Sequence, residues 1–179
     1  GASADGIPFT WQNGTRYRLQ LPKNASFCAV AELNDDGKAV GQCTVGQFAR
    51  AFLWDGAKVK NLGTLGGSLA SPSGINKAGA VVGLSWPSGG GIHPFIWEQG
   101  KMTDLITHGA PAGLAPAAIN NAGWIVGSMG NGTQIVTLVL RNGTITEIDT
   151  PGNDTYSSDI NLTGDVVGYT VGGDGYHAV

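Results

Sequence analysis

Few residues in this sequence are able to do chemistry, and they are scattered. Cys28 and Cys43 are its only cysteines. Their numbers sum to the same total as those of Asn34 and Gly37, which bracket a turn. An unbulged hairpin across that turn therefore sets the two thiols opposite one another, within reach of a disulfide. A bulge at Gly37 would shift the register by one. A disulfide here points to an oxidising compartment. His93, His108 and His177 stand far apart and lack the spacing of a helical or loop metal site, so no metal is expected. For acid–base work the sequence offers His93 or His108 with Asp149 or Asp174; histidines in exposed loops are the simpler reading. The aspartates never form the Asp-x-Asp-x-Asp-Gly calcium loop. The sequence also lacks a nucleophile elbow, a phosphate loop and a His-Glu-x-x-His pair, so it predicts no catalytic residue and no cofactor.

The elements that hold these residues follow from a repeat. Asn34, Asn76, Asn120 and Asn161 each open the pattern Asn-x-x-Gly-x-x-Val-Gly and are spaced 42, 44 and 41 residues apart. Trp11, Trp54, Trp97 and Leu140 recur every 43 residues. Two independent markers share one period, and a period in this range is the signature of a repeat architecture. Each unit reads as four short strands. Strand A ends at the Trp position and turns through Asn-Gly, Asp-Gly or Gln-Gly into strand B, a hairpin signal. A longer Gly/Pro/Ser loop leads to strand C, which passes through the Asn-x-x-Gly turn into strand D. Four such units define an all-β β-propeller of four four-stranded blades. The units cover residues 7–48, 49–91, 92–134 and 135–176, with a partial strand over 177–179.

Blade order also follows from composition. Strand C is rich in Ala, Ser and Gly and suits the crowded axis, whereas strand B carries Arg16, Arg18, Lys58, Lys60 and Lys101 and suits a protected outer edge. The order within a blade is thus C-D-A-B. Because the chain starts at strand A, the N-terminal hairpin is expected to complete the last blade and close the ring. His177, Ala178 and Val179 are then left over as a spare strand able to pair into another copy. Gly41, Gly83, Gly127 and Gly168 are expected where a neighbouring blade comes close. Both long connections emerge on one face, where binding is expected, with Trp86, His93 and His108 as candidate ligand contacts. Trp11, Trp54 and Trp97 are expected to be core, and the repeated Asn to set its own turn.

Composition narrows the function classes. The 179 residues are 41% apolar, with 30 glycines that serve turns, and the net charge is −3 with ten scattered basic residues. That charge leaves no footprint for nucleic acid. No stretch is apolar for long enough to be a membrane span.

Once aligned, the units resemble the bacterial extracellular HAF repeat: His-Ala-Phe-x-Trp, then Leu-Gly-x-Leu-Gly-Gly, then Gly-Ile-Asn-x-x-Gly-x-Val-Val-Gly. The best copy comprises Arg50–Trp54, Leu62–Gly67 and Gly74–Gly83. The first and fourth units lack Leu-Gly-Gly, and the fourth lacks the Trp. The resemblance implies a secreted or surface-associated protein and transfers no catalytic residue. From the sequence, then, the chain is expected to be a non-catalytic, extracellular structural or interaction module. Its expected partners are itself, through the tail strand, or surface glycans bound on the long-loop face.

Overall fold

A computed structural model describes residues 7–56, 58–148, 153–173 and 175–179. Four antiparallel sheets stand in succession around an axis, giving the four-bladed propeller arrangement that the repeat implies. Blade I is β3 (Ala25–Leu33), β4 (Ala39–Val45), β5 (Phe48–Asp55) and β6 (Lys58–Gly63). Blade II is β7 (Gly66–Ile75), β8 (Val81–Pro87), β9 (His93–Glu98) and β10 (Lys101–Asp104). Blade III is β11 (Ala115–Ile119), β12 (Ile125–Gly130), β13 (Ile135–Arg141) and β14 (Thr144–Ile148). Blade IV is β15 (Asp154–Ile160), β16 (Val166–Gly172) and β17 (Gly175–Ala178). A hairpin of β1 (Phe9–Gln12) and β2 (Thr15–Arg18) precedes them. The strand order in blades I to III is C-D-A-B, with the small-residue strand innermost. A three-residue 3₁₀ turn, Ile106–His108, links blades II and III.

The turns form as their residues dictate. Asn13, Gln99 and Asn142 sit at φ near +50° ahead of a glycine that is also positive, the backbone of a two-residue hairpin turn. Each repeated Asn accepts from backbone amides of its own turn: Asn34 Oδ1 takes the N–H of Asp36 at 3.1 Å and of Lys38 at 2.9 Å. The same side chain also does something its own turn does not require. Asn34 Nδ2 donates to the carbonyl of Asn76, Asn76 Nδ2 to that of Asn120, and Asn120 Nδ2 to that of Asn161. An amide ladder thus crosses the blades near the axis.

The strand-D glycines answer to a different neighbour than expected. A Cβ on Gly83 would lie 2.2 Å from the Ser71 carbonyl oxygen, and one on Gly168 would lie 2.0 Å from that of Tyr156. Both obstacles belong to strand C of the same blade, not to the next blade. Strand C bulges beside each of these glycines (Pro72/Gly74 in blade II, Ser157/Asp159 in blade IV), and the bulge pushes a carbonyl into the space a side chain would need.

Three interfaces between blades repeat one contact. Val40 and Ile75 share a buried cluster, as do Val82 with Ile119 and Val126 with Ile160. The next pair in the series behaves otherwise: Val167 is 55% exposed and Leu33 is 49% exposed. The N-terminal hairpin does not complete blade IV. It forms a two-stranded sheet of its own, and its Leu19 packs on blade I with Phe52 and Trp54. The third seat of blade IV is filled by β17, with His177 opposite Thr170 and Ala178 opposite Tyr169. Val179 exchanges both backbone hydrogen bonds with Gly168. The tail is therefore a strand of its own blade rather than a spare. The physical reason is connectivity: a short turn brings β17 back onto β16 at small entropic cost, whereas β1 would have to leave its docking on blade I.

Candidate functional site

The residues singled out in the sequence fall into two groups. Trp86 lies on β8 and is half-buried, and His93 opens β9 opposite Ser85. His93 Nδ1 lies 2.6 Å from Asp104 Oδ2, and Asp104 Oδ1 accepts the Ile106 N–H at 2.9 Å. Asp104 is a partner that the sequence reading missed. The A–B register, in which Asp104 pairs with Phe95 two residues from His93, was the signal available for it. Ser85, opposite His93 in the ladder, is buried and committed elsewhere: its hydroxyl donates to the Leu69 carbonyl and accepts the Leu65 N–H. The alternative partners Asp149 and Asp174 lie outside the described residues.

His108 ends the 3₁₀ turn. Its Nδ1 lies 3.0 Å from Thr107 Oγ1 and 3.2 Å from the carbonyl of Asp104. A carbonyl can only accept, so Nδ1 carries the proton, and in the neutral ring Nε2 is left as an acceptor. This places His108 at a cavity of about 280 Å³ between blades II and III, with Glu98, Thr103 and Asn142 as further polar groups. The floor is aliphatic: Ile96, Leu105, Ile125, Leu140 and Ile145. Trp86 and His93 do not line it.

The corresponding cleft between blades I and II is wider, about 950 Å³, and more charged. Lys38, Lys58, Lys60 and Asp55 stand on its walls, and Trp97 lies at its floor. The Lys60 ammonium is 4.7 Å from the centre of the Trp97 ring. A third cavity, about 240 Å³, sits at the axis beneath the amide ladder. Glu32 there accepts the Ile75 N–H at 2.5 Å. Burial raises the pKa of Glu32, the Ile75 hydrogen bond opposes the rise, and the Asp159 charge adds to it. These cavities are lined both by residues of the tight turns, such as Gly79, Gly123 and Asn142, and by residues of the long connections, His108 and Gly109 in the II–III cavity and Gln20 in the I–II cleft. Of the three candidate contacts on the long connections, His108 lines a cavity, whereas Trp86 and His93 line none of these three.

Cys28 and Cys43 form the disulfide, directly opposite in the β3–β4 register and wholly buried. The turn does start the ladder one residue out of that register, with Leu33 opposite Ala39, and a bulge between Val30 and Glu32 restores it before Cys28 is reached. Trp54 and Trp97 are core, but Trp11 is 64% exposed because, among the described residues, no further blade covers its hairpin.

No family model matches the chain, and no curated protein matches it. Solved structures do. The structure described as TolB from Agrobacterium tumefaciens is similar over 96% of this chain, at 14% identity and a TM-score of 0.71. The β-propeller domain of the Trilobed protease from Pyrococcus furiosus is similar over 92%, at 12% identity and a TM-score of 0.61. Pyrococcus horikoshii acylaminoacyl peptidase is similar over 92%, at 12% identity and a TM-score of 0.50. This chain spans 65%, 50% and 28% of those chains. At such identities the likeness shows the β-propeller fold alone. It also overturns the expectation of a non-catalytic structural module. Among the chains that share this fold are a protease's propeller domain and a peptidase, so the fold gives no ground for an inert scaffold. The buried disulfide indicates a compartment outside the reducing cytoplasm.

Proposed function

We propose that this chain is a ligand-recognition β-propeller domain of an exported protein of the HAF-repeat type, and that it binds in the cleft between blades II and III. One observation carries the reading: an aliphatic floor with His108, Glu98, Thr103 and Asn142 converging at its rim. An apolar recess with a few placed polar groups is the usual form of a small-ligand site. Export is supported by the disulfide, and the HAF assignment by Arg50–Trp54 and Gly74–Gly83. The test is a small-molecule fragment mixture titrated into methyl-labelled protein and followed by NMR. The expected outcome is shifts gathered on the methyls of Ile96, Ile125, Leu140 and Ile145, weakened in His108→Ala. Shifts gathered around Trp86 and His93 instead would refute the cleft and place binding at the β8–β9 connection.

A further inference from the structure

The repeat places an aromatic ring at the same point of each junction until the third. Trp54, between the hairpin and blade I, is buried, and its Nε1 donates to the Gln20 carbonyl at 2.8 Å. Trp97, between blades I and II, is buried beneath Lys60. Between blades II and III the same position is Leu140, and the position of Lys60 is Thr103. The surrounding positions keep their character: Leu53 becomes Ile96, Leu62 stays Leu105, and Val81 becomes Ile125. The walls of an indole pocket are therefore retained where the indole and its covering cation are both absent. A recess of about 280 Å³ opens there. That is just below the ligand-pocket range of roughly 300–1,000 Å³, room for one ring system.

Resting on the cleft reading above, we infer that the II–III recess binds a planar aromatic group in place of the missing Trp. A hydrogen-bonding edge of the ligand would be directed to Glu98, Thr103 or the His108 Nε2 acceptor. An indole N–H, a donor only, meets the acceptors at this rim. The chemistry is shared by a free aromatic small molecule and by the side chain of a Trp-containing peptide.

The experiment titrates N-acetyl-tryptophanamide, the peptide Gly-Gly-Trp-Gly-Gly and N-acetyl-leucinamide into methyl-labelled protein. Both indole probes are expected to saturate the Ile125, Leu140 and Ile145 methyls, and the leucine probe to bind at least tenfold more weakly. If the peptide binds tenfold tighter than the amide, the source is a polypeptide; if not, it is a small molecule. Leu140→Trp is expected to abolish indole binding while the melting temperature holds or rises, since the variant restores the residue of the other junctions. Leu140→Phe serves as a second filler should Leu140→Trp fail to fold. Undiminished indole binding in a folded, filled variant overturns the inference. So does an indole no better than the leucine probe. In the latter case shifts still centred on the recess leave the cleft reading standing, whereas no shift there from any of the three probes sinks both.

Discussion

At the scale of single residues, glycine and cysteine show what one atom decides. Gly83 has no positive φ demand, yet a Cβ there meets the Ser71 carbonyl at 2.2 Å and the Pro72 Cα at 2.7 Å. Backbone cannot swing aside as a flexible side chain does. Gly83→Ala is expected to destabilise the fold by about 3 kcal/mol, the upper end for overpacking. Gly89→Ala, with nothing within 4 Å, is expected to change it by less than about 0.5 kcal/mol. Urea unfolding of both variants checks the contrast. The cysteine pair faces as numbers mirrored about the turn suggest, but through two shifts that cancel: the turn starts the ladder one residue out, and the bulge between Val30 and Glu32 restores it. His93 and Asp104 meet diagonally across β9 and β10, since Asp104 pairs with Phe95, and the sequence pointed instead to Asp149 and Asp174 in other loops. Which glycine atom is crowded was not legible, because it depends on where strand C bulges, and a bulge leaves no consistent mark in the pattern of residue types.

At the scale of elements, the Asn-x-x-Gly turn has two functions where its sequence signals one. The Oδ1 side closes the turn, and the Asx habit of asparagine makes that predictable. The Nδ2 side reaches the next blade, and that reach depends on the separation of blades at the axis, which no local pattern encodes. Asn76→Ala leaves the Asn120 carbonyl and the Ala80 N–H, each its partner in the native fold, without this side chain in a buried site. The expected cost is about 3 kcal/mol. Asn161 is different: its Nδ2 turns back to Asp165 Oδ2 at 2.7 Å in an exposed turn. That contact and the Thr163 hydroxyl lower the pKa of Asp165. Asn161→Ala is expected to cost about 1 kcal/mol or less. Thermal melts of the two variants at one pH separate the cases. The seat of β17 belongs to this scale too. The sequence aligned His177-Ala178-Val179 with strand A correctly, but two segments competed for one ladder, and the nearer in chain won.

At the scale of the whole molecule, the architecture was readable because the period, the hairpin turns and the polarity of strand B all agree. The clefts were not readable, since each is a volume between two sheets and belongs to neither. Leu140 was visible as a departure from the repeat; that a recess lies against it required the position of blade II. The two end faces make a further test. Val82 is buried against blade III, while its counterpart Val167 is 55% exposed. Val82→Glu is expected to unfold the protein or cost about 4 kcal/mol, since it buries an unpaired charge. Val167→Glu is expected to stay within about 0.5 kcal/mol. Circular dichroism during guanidinium titration reads both, and an equal penalty would mean that the fourth blade is covered in solution.

The stack of Tyr156 on Tyr169, with ring centres 4.9 Å apart, and of Tyr169 beside Tyr176 at 6.0 Å, lies on that same uncovered blade. The first blade, by contrast, is riveted by its sulfur bridge and sheltered by a hairpin. In a series where each sheet grips only its neighbours, the two ends set the sequence of failure. Heat or force should peel the described blades from the tyrosine-faced blade IV toward the riveted blade I, so the weakest point among them lies at β17 and the last surviving kernel near Cys28.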